Sequence, residues 1–429
     1  MQILMLAQFY WPDVGGEERH VQDLSEALVQ RGHQVAVATI WHAGSAEFEV
    51  NNGVRIYRLR STVQRASGLY TTVRQHAPPV PDPELVMGLK RVVDTERPQI
   101  VHAHNWISYS FLPLKRWSGA KLVATIHDHS LVCPRKTLMQ AGSLCAGPSL
   151  GKCLACAPQQ YGPVKGALTV LSHAALAQAI RHAVDRFFVV SSDVAERDHL
   201  IKFGLPHEVI PNFLPDAVAD AGNSNFNTTP HDAAAQVRER LPAQPFILFA
   251  GDVRRFKGVL VLLDAYRQLT SPPALVLAGR CDLDIAPSAW ESIPGVVALG
   301  RLPHDVLAQV QRRCLFGVQP SIGPETFGIT ILEAMAAGKA VIGSRLGGIP
   351  DVIANGDTGL LVPPGDSDAL RRSMLHLLTN PDIRERMGQA GRRRADLFRA
   401  SRMVARIEQS YMRLLGQRAH TAASAWEVP

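Results

Sequence analysis

The chain of 429 residues is long enough for two or three domains. Hydrophobic residues make up 46% and charged residues 19%, a balance that can fill sizeable cores, and no run of about 18 apolar residues predicts a membrane-spanning helix. The net charge of +7 allows an anionic ligand, an anionic membrane surface or nucleic acid as partner. No motif of basic residues interleaved with aromatics is present, so we expect no nucleic acid.

The N-terminal segment predicts the start of a parallel sheet. Residues 2–7 and 34–40 are apolar enough for buried strands, and a helix is predicted over 17–31, after a turn at Gly15 and Gly16. Such a unit is typical of a doubly wound sheet, although the G-x-G-x-x-G fingerprint of dinucleotide-binding proteins is absent. Because the first residues lack a basic segment and a long apolar stretch, we expect no signal peptide and a cytoplasmic protein.

Five arginines and no acidic residue occupy the segment 55–74, which begins in a predicted strand over 54–59. Two interpretations are open. The arginines form a solvated basic face, or they bind anionic lipid headgroups or a phosphorylated acceptor at the inner face of the cell membrane. The arginines are Arg55, Arg58, Arg60, Arg65 and Arg74.

Two further predicted strands end in histidines. The first ends at His102 and His104, and the second, over 121–125, is followed closely by His127 and Asp128. Polar residues at the carboxyl ends of parallel strands point into the ligand crevice. A histidine at a strand end is most often structural, so we expect His102 and His104 to pack or to hydrogen-bond within their domain.

Four of the six cysteines follow the spacing C-x11-C-x7-C-x2-C, in an insert rich in proline and glycine. Thiolates in such a set suit a tetrahedral zinc site, and an iron–sulfur cluster uses the same ligands. The alternative is that they are only small residues of a loop, since disulfides are not expected in a cytoplasmic chain. The cysteines are Cys133, Cys145, Cys153 and Cys156.

A polar linker is predicted over 213–244, and a second strand–turn–helix unit begins at residue 245. Its first turn holds three cations, Arg254, Arg255 and Lys257. Beyond the strand at 296–300 and one later buried strand, we expect the remainder of the chain to be helical.

A turn after that later strand leads into a short helix, predicted to start near Gly328 with Ile329 and Thr330 in its first turn. The first amides of a helix have no partner within it, and with the helix dipole they form a site for an anion such as phosphate. Glu325 and Glu333 flank this site. The pattern suits a ligand that is anionic in the middle and hydroxylated at both ends, as a nucleotide-sugar is.

The sequence of this region resembles the retaining glycosyltransferases of family 4. Glu325 and Glu333, with seven residues between them, match the E-x7-E motif of that family. The segments 338–344, 347–352 and 355–366 match it almost residue for residue. The resemblance covers nearly the whole chain and is strongest in its second half.

The resemblance implies the GT-B architecture, an α/β fold with two doubly wound Rossmann-like domains facing across a cleft. We expect an acceptor-binding domain over 1–212 and a nucleotide-sugar-binding domain over 245–400. A last helix over 401–417 is expected to pack back on the first domain, followed by a tail over 418–429.

The resemblance also implies roles for single residues. His127, in a T-x-H-D pattern, and Glu325 would act at the transferred sugar as catalytic residues, and Glu333 would hold the ribose. Asp252 stands where the family has an arginine, and we expect a neighbouring arginine to replace it. The expected donor-binding residues are Gly16, Arg254, Arg255, Lys257, Arg301, Leu302, Phe327, Gly328, Ile329, Thr330 and Glu333.

The implied enzyme is a hexosyltransferase that moves a sugar from a UDP- or GDP-sugar to a hydroxyl of a lipid-linked or polysaccharide acceptor. The reaction would retain the anomeric configuration and serve the synthesis of cell-surface polysaccharide or glycolipid. The family generally needs no divalent metal for its chemistry, so zinc or an iron–sulfur cluster is expected only as a structural group at the cysteines. The alternatives are a GT-B-type nucleotide-sugar epimerase, an α/β oxidoreductase and a non-catalytic GT-B partner subunit.

Overall fold

The computed structural model of the chain consists of two compact units. The residues that it describes are 1–12, 15–65, 77–220, 237–281 and 284–417. Unit 1 consists of residues 1–140, 145–212 and 400–429. Unit 2 consists of residues 141–144 and 213–399.

The strands alternate with helices along most of the chain. In chain order the strands are β1 (Gln2–Ala7), β2 (Gln34–Ile40), β3 (Phe48–Asn51), β4 (Val54–Leu59), β5 (Ile100–His104), β6 (Lys121–Ile126), β7 (Met139–Gln140), β8 (Ser143–Leu144), β9 (Arg186–Val189), β10 (His207–Val209), β11 (Ile247–Ala250), β12 (Leu275–Ala278), β13 (Val296–Gly300), β14 (Phe316–Gln319), β15 (Ala340–Ser344) and β16 (Gly359–Val362).

The helices of the described residues are mostly short. They are α1 (Gly16–Gln30), α2 (Thr62–Arg65), α3 (Pro83–Glu96), α4 (Ile107–Phe111), α5 (Lys115–Ser118), α6 (Leu150–Cys156), α7 (Pro158–Tyr161), α8 (Pro163–Ala183), α9 (Ser192–Arg197), α10 (Asp216–Asp220), α11 (Val259–Arg267), α12 (Ser288–Glu291), α13 (His304–Arg313), α14 (Ile329–Ala336), α15 (Ile349–Val352), α16 (Ser367–Thr379), α17 (Pro381–Ala395) and α18 (Ala400–Leu414), with 3-10 turns at Leu112–Leu114, Arg255–Lys257 and Asp396–Phe398.

Unit 1 is built on an eight-stranded sheet with the order β10-β9-β6-β5-β1-β2-β4-β3. Its strands are parallel except for β3, which pairs with β4 in the antiparallel direction at the edge. The central strand β1 is fully buried at Leu4, Met5 and Leu6, as expected for a sheet covered on both faces. The strand order reverses between β1 and β5, so that the turns after these two strands open onto the same crevice.

Unit 2 is built on a six-stranded, wholly parallel sheet with the order β13-β12-β11-β14-β15-β16. This is the strand order of Rossmann folds, with the topological switch between β11 and β14. Its core includes Phe249, Phe316 and Ile342, which are fully buried. The predicted α/β class with two Rossmann-like units is therefore confirmed.

Two expectations about the second half of the chain are wrong. The segment after α14 is not wholly helical, because it contains the short apolar strands β15 and β16. In the sheet of unit 2, β15 pairs with β14 and β16 pairs with β15 at the edge. The predicted linker is also too long. Residues 213–220 pack within unit 2, where the Leu214 amide donates to the Phe398 carbonyl at 3.0 Å, and Leu241 belongs to its core. Residues 221–236 and the predicted tail 418–429 lie outside the described residues.

The last helix, α18, belongs to unit 1, as its contacts with the first 210 residues show. Glu408 accepts hydrogen bonds from Arg31 and from His33, the latter at 2.7 Å. Burial alone would raise the pKa of Glu408, but the bonds from Arg31 and His33 outweigh it and lower that pKa. Tyr411 is fully buried and its hydroxyl hydrogen-bonds to His102 at 2.6 Å.

No helix in the described part of the chain has both the length and the apolar character needed to cross a membrane.

We expect Glu408→Ala to lower the free energy of unfolding of unit 1 by about 2 kcal/mol, because two donors, Arg31 and His33, lose a charged acceptor. The measurement is urea denaturation followed by circular dichroism. Arg402→Ala, at an exposed position of the same helix, is the control and should change stability by less than about 0.5 kcal/mol. Equal stability of the two variants would contradict the packing of α18 described above.

Candidate active site

Two turns meet at the topological switch of unit 2, one after β11 and one after β14. The amides of Ile322 and Gly323 both donate to the Phe256 carbonyl at 2.9 Å. Gly258 has φ +75°, and a Cβ atom there would lie 1.8 Å from the carbonyl oxygen of Pro320. Glycine is therefore required at this position, both for the left-handed backbone and for the approach of the two turns.

This approach brings Lys257 and Glu325 together. The Lys257 ammonium donates to Glu325 Oε2 at 2.5 Å, and both side chains are largely buried. The backbone of Glu325 is fixed from the other side, because the Gly348 amide donates to its carbonyl at 2.7 Å. A Cβ at Gly347, where φ is +62°, would lie 2.1 Å from that same carbonyl oxygen. The Gly347–Gly348 pair thus allows the chain to pass directly beneath the glutamate.

Helix α14 begins at Ile329, four residues after Glu325. The preceding Gly328, with a φ of +95°, turns the chain into the helix, and no side chain of the described residues caps the first amides. Amides at a helix start attract anions, and Lys257 adds a positive charge close by. This end of the crevice is therefore suited to a phosphate group.

Glu333, the second glutamate of the motif, is 7% exposed and faces α13. His304 Nε2 hydrogen-bonds to Glu333 Oε1 at 2.5 Å, and Gln311 Nε2 donates to Oε2 at 3.4 Å. These residues line one pocket of unit 2. Sequence analysis missed both partners. A usable signal is their spacing of seven residues, which places them on one face of a helix.

Asp252, which stands where the family has an arginine, lies in a cluster of charged side chains. Arg280 binds the Asp252 carboxylate through two bonds of 3.0 and 2.6 Å, and Arg254 lies 3.9 Å from it. Burial would raise the pKa of Asp252, but Arg280, Arg254 and Lys257 lower it. Arg255, by contrast, is directed to Asp284 through its amide and its Nε. Of the two arginines expected to replace the family's residue, only Arg254 faces this cluster.

Arg280 is a candidate site residue that sequence analysis missed. It is the second residue after β12, at the carboxyl end of a strand next to the topological switch, which is the position where ligand-binding side chains are found. The preceding Gly279 lies so close to Gly251 that a Cβ would be 1.9 Å from its carbonyl oxygen. The rule applied to the histidines of unit 1 would have found this arginine.

Three other residues that were predicted to bind the nucleotide-sugar differ in the exposure of their side chains. Phe327 is 1% exposed and packs against Phe398, with ring centroids 5.8 Å apart, so its side chain supports the turn and cannot contact a ligand. Leu302 is half-buried against the core of unit 2, and Arg301 is exposed.

A cluster of histidines lies at the carboxyl ends of β5 and β6 in unit 1. His127 follows β6, and its Nε2 shares a hydrogen bond with His104 Nδ1 at 3.0 Å. The His20 ring, from α1, lies 4.8 Å from the His127 ring. Burial, together with repulsion from His102, lowers the pKa of His127 to about 3, so that its imidazole is neutral near pH 7. It can therefore donate or accept a hydrogen bond without carrying charge.

Within the described residues, one set of His, Cys, Asp or Glu side chains has its ligand atoms within 4.8 Å of one another, and it is His20, His104 and His127. Such nitrogens could hold a metal ion. The expectation that His102 and His104 hydrogen-bond within their domain agrees with the structure: His102 bonds to Thr125 at 2.6 Å, and His104 bonds to His127.

Glu17, next to Gly16 at the start of α1, is a further candidate that sequence analysis did not single out. Asn105, after β5, donates a hydrogen bond to its carboxylate. Burial, and then the negative charge of Asp128, raise the pKa of Glu17 to about 8. Near neutral pH this carboxyl group is therefore largely protonated and can donate a hydrogen bond.

The arginine segment is not an uncompensated basic surface. Four of its arginines form ion pairs: Arg55 with Glu96, Arg58 with Glu49, Arg60 with Glu47 and Arg65 with Glu84. Arg58 is also 4% exposed, so its assignment to a membrane or acceptor surface is wrong. The acids come from neighbouring elements, which is why the segment itself looks acid-free. Arg74 lies outside the described residues.

The four clustered cysteines are half-buried free thiols. They line a single cavity of unit 1. They do not form a set as compact as the three histidines.

Gly258→Ala should lower the free energy of unfolding of unit 2 by about 3 kcal/mol, because left-handed strain adds to a clash with a backbone oxygen. Gly338→Ala is the matched control: φ there is +74°, but no atom lies within 4 Å of the added Cβ. The control should lose only about 1 kcal/mol. Urea denaturation measures both, and a loss of equal size would show that the two turns are not packed as described.

Comparison with known proteins gives the class of this molecule. A family model described as "Glycosyltransferase Family 4" matches residues 14–217, and one described as "Glycosyl transferases group 1" matches residues 232–394. Together they span most of the chain, and the crevice residues described above lie inside them. The chain belongs to the family 4 glycosyltransferases.

The relatives agree with this assignment. The chain is 27% identical over 420 residues to the glycogen synthase of Mycobacterium tuberculosis, covering 92% of this chain and 90% of the relative. Sucrose-phosphate synthase from Thermosynechococcus elongatus has the same fold, with a TM-score of 0.69, 21% identity and coverage of 97% and 100%. Anabaena HepE in complex with UDP and glucose superposes with a TM-score of 0.65, 17% identity and coverage of 97% and 99%.

Proposed function

We propose that this glycosyltransferase moves a hexosyl group from a nucleotide-sugar to an acceptor hydroxyl with retention of the anomeric configuration. The observation that carries the proposal is the Lys257–Glu325 pair beside the uncapped start of α14, in the crevice of a Rossmann-like unit. A cation and free amides suit a diphosphate, and a carboxylate next to them suits the hydroxyls of a sugar.

Diphosphate is proposed to bind at the first amides of α14 and at Lys257, with Arg254 and Arg280 close by. When the bond between the anomeric carbon and the phosphate oxygen breaks, negative charge grows on the diphosphate. These preformed donors stabilise that charge at the moment it develops. The acceptor hydroxyl attacks the same carbon, and its proton passes to the leaving phosphate oxygen, so that no divalent cation is needed to balance the charge.

The role proposed for Glu325 is to orient the sugar. Its carboxylate is bonded to Lys257 at 2.5 Å, which lowers its nucleophilicity and favours hydrogen bonding to a sugar hydroxyl over attack on the anomeric carbon. His127, neutral and positioned by His104, is expected to hydrogen-bond the transferred sugar as well. Glu333, oriented by His304 and Gln311, retains lone pairs to accept bonds from the ribose hydroxyls.

The relatives indicate a chemical class for the donor and for the acceptor. HepE has been solved with UDP and glucose, which makes UDP-hexoses the first donors to test, with GDP-sugars next. One relative is named glycogen synthase, and glycogen is a polysaccharide, which supports a saccharide hydroxyl as acceptor. A lipid-linked saccharide remains an alternative acceptor, but the ion-paired arginines give it no support.

The test is incubation of the full chain with a panel of UDP-, GDP- and ADP-hexoses and oligosaccharide acceptors, followed by mass spectrometry and by NMR of the new anomeric centre. We expect one nucleotide-sugar to be consumed only when an acceptor is present. A donor whose sugar is α-linked to the diphosphate should give a product with an α-glycosidic bond. Release of sugar epimer without acceptor would show an epimerase, and an inverted product would overturn retention.

Glu333→Ala should weaken binding of the released nucleoside diphosphate by about 1–3 kcal/mol, or about fivefold to 150-fold, because a buried charged acceptor for the ribose is lost. Isothermal calorimetry measures this affinity. Glu291→Ala, at an exposed position of the same unit, is the control. Unchanged affinity in a folded Glu333→Ala variant would remove this glutamate from the ribose site.

A further inference from the structure

Four cysteines that the transfer chemistry does not use line one cavity of unit 1. Cys133 lies in the loop after β6, Cys145 follows β8, and Cys153 and Cys156 lie in α6. All four are half-buried and none forms a disulfide. Four thiols on three separate segments thus converge on one small space.

The helix α6 directs two of these thiols the same way. Cys153 and Cys156 are three residues apart in a helix, so their side chains share a face. Both residues line the same cavity as Cys133 and Cys145.

The sulfurs have both acceptors and a donor around them: the Cys145 thiol donates to the Gly147 carbonyl at 3.5 Å, and the Cys156 thiol donates to the Met139 carbonyl at 3.9 Å. The guanidinium of Arg135 donates to Cys156 Sγ at 3.1 Å. Donors of this kind surround thiolates that ligate a metal, because they stabilise the charged sulfur and fix its orientation.

The charges that line the cavity are positive. Arg135 and Lys152 are among its lining residues, and none of the described residues that line it is acidic. Four thiolates around a divalent cation carry a net charge of minus two, which these two cations offset. The absence of carboxylates among the described lining residues disfavours Mg²⁺ and Ca²⁺, which require oxygen ligands.

We propose that Cys133, Cys145, Cys153 and Cys156 bind one Zn²⁺ as thiolates. Zinc accepts four sulfur ligands in a tetrahedron, and a site with no open position is structural. The four sulfurs are not among the converged sets of ligand atoms in the described residues, so Zn²⁺ binding requires them to move closer together.

The zinc site would stabilise the loop that carries His127. The Cys133 amide donates to the His129 carbonyl at 2.8 Å, and the His129 amide donates to the Lys136 carbonyl at 3.1 Å. Cys133 is thereby joined by backbone hydrogen bonds to a residue two positions after His127. The metal acts on structure and needs no part in sugar transfer.

The test is elemental analysis of full-length protein purified anaerobically with a thiol reductant. About one zinc per chain is expected. Cys153→Ser with Cys156→Ser should lose the metal, while the control Cys281→Ser, a cysteine of unit 2 outside the cavity, should retain it. Chelation should lower the midpoint of thermal unfolding, and added Zn²⁺ should restore it, since a ligand that binds only the folded state stabilises it.

Substitution with Co²⁺ keeps the proposal testable if the double variant does not fold. Wild-type protein stripped of metal should take up Co²⁺ and show thiolate-to-cobalt charge-transfer absorption, and Cys281→Ser should do the same. Iron with inorganic sulfide, disulfides between the four cysteines, or reduced protein that binds neither Zn²⁺ nor Co²⁺ would each overturn the proposal. Wild-type protein that binds zinc but transfers no sugar would count against the proposed function and would not affect the zinc proposal.

Discussion

The ion pair between Lys257 and Glu325 is the interaction on which the candidate active site depends. It exists because two turns at the topological switch of unit 2 touch through their backbones, at Gly258 and Pro320. The strand order puts these turns side by side, and the glycines remove the side chains that would separate them. The fold therefore holds a cation and a carboxylate at the start of α14 before any ligand arrives, which reduces the reorganisation that binding requires.

At Asp252 the charges of the crevice differ from the family pattern, but a neighbouring arginine supplies a positive charge. An aspartate where the family has an arginine would place a negative charge next to a diphosphate. Arg280, from the neighbouring strand end, binds this aspartate with two hydrogen bonds and so places a guanidinium beside it. Since a guanidinium has five donors, Arg280 can bind Asp252 and still donate to a phosphate oxygen.

The sequence predicts those features that depend on neighbours along the chain. The strands β1, β2 and β4, the start of α14 near Gly328 and the flanking glutamates follow from apolar runs, glycines and spacing. Features that depend on distant neighbours could not be predicted in this way. The arginine segment lacks acids in sequence, yet four of its members pair with acids from other elements. Arg280 and His304 become recognisable only when Asp252 and Glu333 are seen beside them.

The most direct test of the account is calorimetric titration of nucleoside diphosphate into Lys257→Ala, Glu325→Gln and, as a control, Lys202→Ala, an exposed lysine of unit 1. The account predicts that Lys257→Ala binds at least about tenfold more weakly, because a charge-assisted bond to phosphate is lost. Glu325→Gln should bind at least as tightly as wild type, because the lysine is released from its carboxylate, although sugar transfer falls. Equal loss of affinity in both variants, or no loss in Lys257→Ala, would contradict it.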